Sequence, residues 1–220
     1  MHVFPFTIVG FDLDGTLLDT SADLTAAVNH ALAADGRAPL AFDDLRSMIG
    51  GGGRRMMSLA LAATGGYDEA LLDRLNAVMI DFYAAHIADH TTPFPGAVAM
   101  LDELAARDVK IAMVTNKAEA LTRPLLDTLG LTARFTTIIG GAGKPSPLPI
   151  ETMIAQCGGL DDGGRAAFVG DSHFDVDAAQ AAGIPAVACA FGFLTKPVDQ
   201  LGADAVIDHF DELIPTLETL

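Results

Sequence analysis

The sequence has little cysteine and little positive charge, and each shortage narrows the possible functions. It has only two cysteines, Cys157 and Cys189, and they lack the spacing that would indicate a disulfide framework or a zinc site. There are 13 basic residues and 29 acidic ones, and the formal charge of −16 argues against nucleic acid or an anionic membrane as a partner. No apolar run approaches the length of a membrane span. Any anionic substrate must therefore be met by local positive charge.

The chain also lacks the marks of an export signal. It begins Met1-His2-Val3 without a basic leader or a small-residue cleavage site, and a strand pattern follows at once. We therefore expect a cytoplasmic, reduced setting. Because there are only four lysines, a lysine close to an acidic motif carries more information here than in a lysine-rich chain.

Short apolar runs alternate with helical patterns along most of the chain. The runs that predict strands cover residues 7–12, 109–115, 135–139, 166–170, 186–189 and 205–207. The helical patterns between them cover residues 97–107, 118–129, 147–157, 174–182 and 210–217. This alternation predicts an α/β fold, a doubly wound, Rossmann-like parallel sheet with helices on both faces. Ligands of such sheets bind beyond the carboxyl ends of the strands.

About ninety residues separate the first two strands, and they carry only helical patterns. These patterns cover residues 21–34, 42–48, 54–63 and 68–90, and Thr20 or Ser21 is expected to cap the first. The segment is too long for an ordinary crossover, which predicts an inserted helical cap over the strand ends. We therefore predict an α/β catalytic core formed by residues 1–17 and 92–220, and a helical cap formed by residues 18–91.

Two aspartates follow the first strand directly, in Asp12-Leu13-Asp14-Gly15. An isolated charge out of water costs on the order of several kcal/mol, so these carboxylates indicate a bound cation or a reacting group, with an acidic turn as the alternative. Taken with the motifs below, Asp12 at the strand end is the candidate nucleophile toward phosphorus. Asp14 is the candidate acid and base, protonating the leaving alcohol and then taking a proton from water.

Candidate phosphate-binding groups follow the second and third strands. The hydroxyl of Thr115, which precedes Asn116, could donate to a phosphate oxygen or, equally, cap the next helix. Lys144 precedes Pro147, a residue suited to the first turn of a helix. From that loop Lys144 could reach inward toward the nucleophile and a phosphoryl oxygen, and a solvated surface lysine is the alternative.

The stretch from Gly170 to Asp175 repeats the order of strand, glycine and two carboxylates. Asp171 ends the strand and Asp175 lies one turn into the next helix, a spacing that lets both face one cation. Such oxygen-only ligands suit Mg²⁺ better than zinc. For Asp175, stabilisation of the helix N-terminus or a supporting position behind the metal remain alternatives.

These four motifs, in their order and spacing over the full chain, resemble those of the haloacid dehalogenase superfamily of phosphohydrolases. The inserted helices look like the α-helical cap of that superfamily. The resemblance implies a set of catalytic and phosphate-binding groups, which are Asp12, Asp14, Thr115 and Lys144. It also implies a bound Mg²⁺ whose site consists of Asp12, the backbone carbonyl of Asp14, Asp171 and, as a supporting carboxylate, Asp175.

Within the superfamily, the chain looks most like the phosphoglycolate phosphatases, on residues 26–29, 50–53, 201–204 and 208–213. This resemblance implies Mg²⁺-dependent hydrolysis of a small phosphorylated metabolite through an aspartyl-phosphate, with 2-phosphoglycolate favoured. Arg54 and Arg55 follow the Gly50–Gly53 loop. The glycines suggest a backbone that approaches the substrate closely, and the arginines suggest a neighbouring cation for a small anionic tail. The alternative for the arginines is an exposed helix start. The expected substrate-binding residues are Thr115, Asn116, Lys144, Gly51 and Arg54.

Other chemistries of the superfamily fit less well or stay open. Dehalogenases lack a carboxylate at the place of Asp14, and phosphonoacetaldehyde hydrolases need a cap lysine, whereas no lysine precedes Lys110. A broader sugar-phosphate or nucleotide phosphatase and a sugar-phosphate mutase remain alternatives. From another class, a non-catalytic phosphate-binding sensor could keep the fold. The sequence does not indicate an oligomeric state.

Overall fold

The computed structural model describes residues 4–160 and 163–220, and a six-stranded parallel sheet forms its centre. The strands in chain order are β1 (Ile8–Phe11), β2 (Leu18–Asp19), β3 (Thr92–Pro93), β4 (Lys110–Thr115), β5 (Thr137–Gly140), β6 (Ala166–Gly170), β7 (Ala186–Cys189) and β8 (Ala205–Ile207). The sheet has the order β5-β4-β1-β6-β7-β8, and each neighbouring pair is parallel. The chain therefore crosses over after β1 and again after β5, as a doubly wound sheet requires, and the predicted fold class is confirmed.

Helices cover both faces of the sheet. In chain order they are α1 (Ser21–Ala34), α2 (Phe42–Arg46), α3 (Gly53–Ala63), α4 (Glu69–Ala85), α5 (Ala97–Ala106), α6 (Glu119–Thr128), α7 (Leu148–Gln156), α8 (His173–Ala181) and α9 (Leu213–Thr219). The helices α5, α6 and α9 share one apolar cluster with the sheet, and α7 and α8 share the cluster on the opposite face. Across the described ranges, no helix has the length and apolarity needed to cross a bilayer.

The central strand β1 is buried on both faces because it lies in the middle of the sheet. Val9 and Phe11 face one apolar cluster, and Ile8 faces the other, as expected from the alternation of side chains along a strand. A side chain at Gly10 would lie 2.3 Å from the sulfur of Met153 on α7. The missing side chain therefore lets α7 pack closely against β1.

The helices α1 to α4 form a helical insertion (Ser21–Ala85) with its own apolar cluster, which includes Leu32, Met57 and Leu75. The short strands β2 and β3 pair antiparallel where the chain enters and leaves this insertion. Both strands are too short to show in the sequence pattern. The division into residues 1–17 with 92–220 and residues 18–91 stays a proposal, and residues 1–3 lie outside the described residues.

The largest differences between predicted and observed helices are at the ends of two of them. The helix predicted over residues 68–90 ends at Ala85, because the chain beyond it turns toward Asp23 on α1. The buried Asp23 carboxylate accepts hydrogen bonds from the backbone N–H groups of His90 and Thr91 at 2.9–3.1 Å, and from the Thr91 hydroxyl at 2.7 Å. The helix predicted over residues 210–217 instead begins as a 3₁₀ turn, Phe210–Glu212, and continues as α9.

Replacing Asp23 with alanine tests how strongly this contact fixes the root of the helical insertion. We expect Asp23→Ala to lower the free energy of unfolding by about 2–3 kcal/mol, because buried donors at residues 90 and 91 lose a charged acceptor. Urea unfolding measures the change, with Asp81→Ala as the control on the exposed face of α4. A loss for Asp23→Ala no larger than that of the control would contradict the assignment.

Candidate active site

The carboxyl ends of three adjacent strands bring acidic and hydroxyl side chains together. Asp12 follows β1, Thr115 is the last residue of β4, and Asp171 follows β6. Because β4 and β6 are the two neighbours of β1, these residues lie side by side although they are far apart in the sequence. The N–H of Asp12 donates to the carbonyl of Val169 at 2.9 Å, which fixes the backbone at this strand end.

Three buried carboxylates, those of Asp12, Asp171 and Asp175, form one group beyond the sheet. One oxygen of each lies within 4.8 Å of the others, and no second cluster of this kind occurs within residues 4–160 and 163–220. The Lys144 ammonium lies among them, 2.8 Å from Asp12 Oδ1 and 2.5 Å from Asp175 Oδ1, and it donates to the carbonyl of Val114 at 2.9 Å. Lys144 is therefore buried and reaches inward.

One ammonium does not balance three buried carboxylates. Burial raises the pKa of Asp12 to about 7 against the opposing effect of Lys144, and the charge of Asp175 adds to the rise. Burial and the neighbouring carboxylates also raise the pKa of Asp171. For Lys144, burial disfavours the charged form, but Asp12 and Asp175 outweigh burial and raise the pKa of the ammonium. The excess of negative charge suits a divalent cation held by carboxylate oxygens.

The carboxylate of Asp171 is held by the chain on both sides. Its Oδ1 accepts from the Thr16 hydroxyl at 3.3 Å, and its Oδ2 accepts from the N–H of Phe193 at 2.6 Å. A side chain at Gly15 or Gly192 would lie 2.2–2.3 Å from Asp171 atoms. Both glycines are therefore needed for the backbone to pass this close to the carboxylate.

Asp175 has protein partners at both oxygens. Its Oδ2 accepts from the N–H of Ser172 at 3.0 Å and from the Ser172 hydroxyl at 2.6 Å, in a capping box at the start of α8. Its Oδ1 accepts from Lys144. Asp175 thus serves the helix N-terminus and at the same time fixes the ammonium beside Asp12.

Asp14 follows β1 and is fixed by contacts outside the carboxylate group. Its Oδ1 accepts from the Thr20 hydroxyl at 2.7 Å and lies 3.1 Å from the ammonium of Lys117. Thr20 occupies the N-cap position of α1, where capping is predicted, but its side chain makes no capping hydrogen bond. Both of these contacts are made to Oδ1, and no hydrogen bond within the described part of the chain involves Oδ2 of Asp14.

The residues after β4 connect the strand end to two loops. The Thr115 hydroxyl accepts from the N–H of Lys117 at 3.2 Å, and α6 begins without a side-chain cap, so the capping alternative for Thr115 is not observed. The Asn116 amide donates to the carbonyl of Gly50 at 3.0 Å, and its oxygen accepts from the N–H of Lys144 at 2.8 Å. Asn116 thereby joins the Gly50–Gly53 loop to the loop that carries Lys144.

A cavity of about 320 Å³ opens above these strand ends. Asp12, Asp14 and Thr115 line its sheet side, and the Gly50–Gly53 loop with α3 and α4 lines the other. The structure thus brings all nine residues predicted for the site to this region. Asp12, Asp14, Thr115, Asn116, Gly51 and Arg54 line the cavity, while Lys144, Asp171 and Asp175 lie around Asp12.

The two arginines after the glycine loop point to different places. The guanidinium of Arg54 pairs with Glu69 and Asp73 at 2.7 Å, and its side chain is half exposed. The guanidinium of Arg55 lies over the ring of Phe174, 5.5 Å from the centroid. The ion pairs of Arg54 therefore direct its charge away from the carboxylates, although the residue lines the cavity wall.

Several residues that support the site were not among those predicted from sequence. Thr16 and Lys117 lie within or beside the motifs, so their position in the sequence was a usable signal. The loop after β7 and the end of α4 carry no motif, and only the fold brings them here. The residues concerned are Thr16, Thr20, Tyr83, Lys117, Gly192 and Phe193.

The chain is similar to known hydrolases in sequence and in fold. A family model described as haloacid dehalogenase-like hydrolase matches residues 9–189. The phosphoglycolate phosphatase of Caulobacter vibrioides is 40% identical over 215 residues, which cover 96% of this chain and 90% of the relative. That of Agrobacterium fabrum is 41% identical over 212 residues, 94% of this chain and 90% of the relative. The crystal structure of a predicted phosphoglycolate phosphatase from Haemophilus somnus has a TM-score of 0.89 at 26% identity, covering 96% of this chain and 98% of that one.

Removing the Lys144 charge tests how far it stabilises the buried carboxylates. In a metal-free buffer at neutral pH, we expect Lys144→Met to lower the free energy of unfolding by about 3 kcal/mol or more, because Asp12 and Asp175 lose their buried counter-charge. Urea unfolding measures this change beside Lys110→Met, the control at an exposed lysine of β4. Equal stabilities of the two variants would show that Lys144 does not hold the group together.

Proposed function

The chain belongs to the haloacid dehalogenase-like hydrolase family, and from this premise we propose that it is a Mg²⁺-dependent phosphatase of small phosphate monoesters, with 2-phosphoglycolate preferred. The observation that carries the proposal is the placement of Asp12 and Asp14 on the wall of one cavity. Relatives that are 40% and 41% identical bear the name phosphoglycolate phosphatase, which supports the choice of substrate.

Asp12 is proposed as the nucleophile. One of its carboxylate oxygens attacks phosphorus, the bond between phosphorus and the ester oxygen breaks, and an aspartyl-phosphate forms. The ammonium of Lys144, 2.8 Å from Asp12 Oδ1, reduces the repulsion between the anionic nucleophile and the anionic substrate. Attack of water on the same phosphorus then releases phosphate and restores Asp12.

Asp14 is proposed as the acid and base of these two steps. It gives a proton to the oxygen of the leaving alcohol and later takes a proton from the attacking water. Its Oδ1 is held by Thr20 and Lys117, which leaves Oδ2 for this exchange. Asp12 and Asp14 thus have different partners, Lys144 for Asp12 and Thr20 with Lys117 for Asp14, which is compatible with separate roles.

Mg²⁺ fits the donor set, which consists of oxygen atoms and carries excess negative charge. The proposed ligands are Asp12, Asp171 and the backbone carbonyl of Asp14. When bound, the ion would supply positive charge that offsets the negative charge of the carboxylates and of the phosphate. Asp175 is assigned a supporting position, because its Oδ2 belongs to the capping box of α8 and its Oδ1 is paired with the ammonium of Lys144.

The helical insertion is proposed as a cap over the site, within the segment 18–91. The Gly50–Gly53 loop contributes backbone to the cavity wall opposite the carboxylates, where a small substrate meets it. Thr115, Asn116 and Lys144 are proposed to hold the phosphate on the sheet side. Enclosure between the two sides would exclude bulk water during the reaction.

Phosphate release from a panel of esters tests the proposed activity. The panel pairs 2-phosphoglycolate with glucose phosphates, nucleoside monophosphates and an aryl phosphate, each with Mg²⁺ and with EDTA. We expect release that EDTA abolishes, and a kcat/KM for 2-phosphoglycolate about tenfold or more above the other alkyl esters, as one extra charged contact would give. Equal values would favour a broader phosphatase, and no release from any ester would contradict phosphatase activity.

The variant Asp14→Asn separates an enzyme from a phosphate-binding sensor. Because the amide cannot exchange the proton, we expect kcat to fall by about 10²–10⁴-fold. Phosphate binding, measured by calorimetry, should remain, and Asp81→Asn on the exposed face of α4 is the control. Turnover at the wild-type rate would show that Asp14 is not the acid.

A further inference from the structure

We propose that Lys117, held in place by Tyr83, is a positioning residue for the carboxylate of Asp14. This inference rests on the proposed function, in which Asp14 exchanges the proton with the leaving alcohol and with water. Lys117 is a buried cation that is not among the proposed phosphate-binding or metal-binding residues, and the inference gives it a role.

The ammonium of Lys117 is buried and has two specific partners. Its Nζ lies 3.1 Å from Asp14 Oδ1 and donates to the hydroxyl of Tyr83 at 3.0 Å. It also lies 4.4 Å from the centroid of the Tyr83 ring. Burial alone disfavours the charged ammonium, but Asp14 and Tyr83 outweigh it and raise the pKa of Lys117. A lysine that is 6% exposed is rare without such partners.

The backbone of Lys117 is fixed by three hydrogen bonds. Its N–H donates to the hydroxyl of Thr115 at 3.2 Å. Its carbonyl accepts from the N–H of Gly141 at 2.7 Å and from the hydroxyl of Thr122 at 3.2 Å. The side chain therefore starts from a rigid point between β4 and α6, and its ammonium is directed to Asp14 with little freedom.

Tyr83 fixes the other end of the side chain. It lies near the end of α4, is 2% exposed, and packs in the apolar cluster of the helical insertion. The ammonium of Lys117 thus joins the sheet, which carries Asp14, to the helical insertion. The position of Asp14 consequently depends on α4 being in place over the strand ends.

Lys117 contacts Oδ1 of Asp14, whereas Oδ2 is the oxygen proposed to exchange the proton. Lys117 and Thr20 both approach Oδ1, so the carboxylate is held from one side. This arrangement restrains the carboxylate at Oδ1, and Asp14 lines the cavity. A misplaced Asp14 would lose proton transfer to the alcohol while the phosphorus stays in reach of Asp12.

Lys117 also lines the cavity, so contact with the carboxylate of a substrate is the competing role. Three substrates distinguish the two roles: 2-phosphoglycolate, an alkyl phosphate without a carboxylate such as ethyl phosphate, and an aryl phosphate whose leaving anion is stable without protonation. The measured quantity is kcat/KM with Mg²⁺, because it reports the steps up to release of the alcohol.

The variants are Lys117→Met and Tyr83→Phe, with Lys110→Met and Tyr67→Phe as controls at exposed positions. We expect Lys117→Met to lower kcat/KM about 10- to 100-fold for both alkyl esters and far less for the aryl ester. Tyr83→Phe should show the same pattern at about two- to tenfold, because the ammonium loses one hydrogen bond but keeps its contact with Asp14. It keeps the ring and remains informative if Lys117→Met does not fold. Lys117→Arg should restore part of the alkyl rates.

Three results would overturn the inference. An equal loss on all three substrates would give Lys117 and Tyr83 a structural role only. A loss confined to 2-phosphoglycolate would assign Lys117 to the carboxylate of the substrate. A wild-type protein that cleaves none of the three esters would remove the proposed function and this inference with it, whereas the first two results leave the proposed function intact.

Discussion

The ion pairs between one buried lysine and the carboxylates around it are the interactions on which the site depends. Lys144 touches Asp12 and Asp175, and all three side chains are almost fully removed from solvent. Charges in such a place persist only if they are paired and hydrogen-bonded. The capping box at α8 and the carbonyl of Val114 supply the remaining hydrogen bonds. The site nevertheless keeps more negative than positive charge, which is the condition that a bound cation would relieve.

The order of the strands in the sheet brings these side chains together in one site. With β4 and β6 on either side of β1, the strand ends deliver Thr115, Asp12 and Asp171 to a single line. The loop after β7 then closes over Asp171, and the missing side chain at Gly192 makes that approach possible. A parallel sheet places every strand end at the same edge, so few further contacts are needed to assemble the group.

Hydrogen bonds at three places connect the helical insertion to the residues around the site. Arg46 on α2 donates to the carbonyls of residues 191 and 192, in the loop that holds Asp171. Asn116 binds the carbonyl of Gly50, and Tyr83 binds Lys117. The insertion therefore does more than cover the cavity, because its helices contact the residues that hold both Asp171 and Asp14. A movement of the insertion would change the surroundings of two proposed catalytic elements together.

The sequence by itself determined the α/β fold, the six strands of the central sheet and the residues proposed to bear the chemistry, because each motif places polar side chains at or shortly after the end of an apolar strand. Those signals are local, because the conformation at a strand end depends mainly on residues that are close in the sequence. Only the tertiary structure decided which side chains support them. It showed that Thr20 binds Asp14 instead of capping α1, that Arg54 is paired at the surface, and that Asp23 accepts hydrogen bonds from residues 90 and 91 beyond the end of α4. These outcomes depend on contacts between distant segments, and a sequence pattern does not record which distant groups compete for one hydrogen bond or one charge.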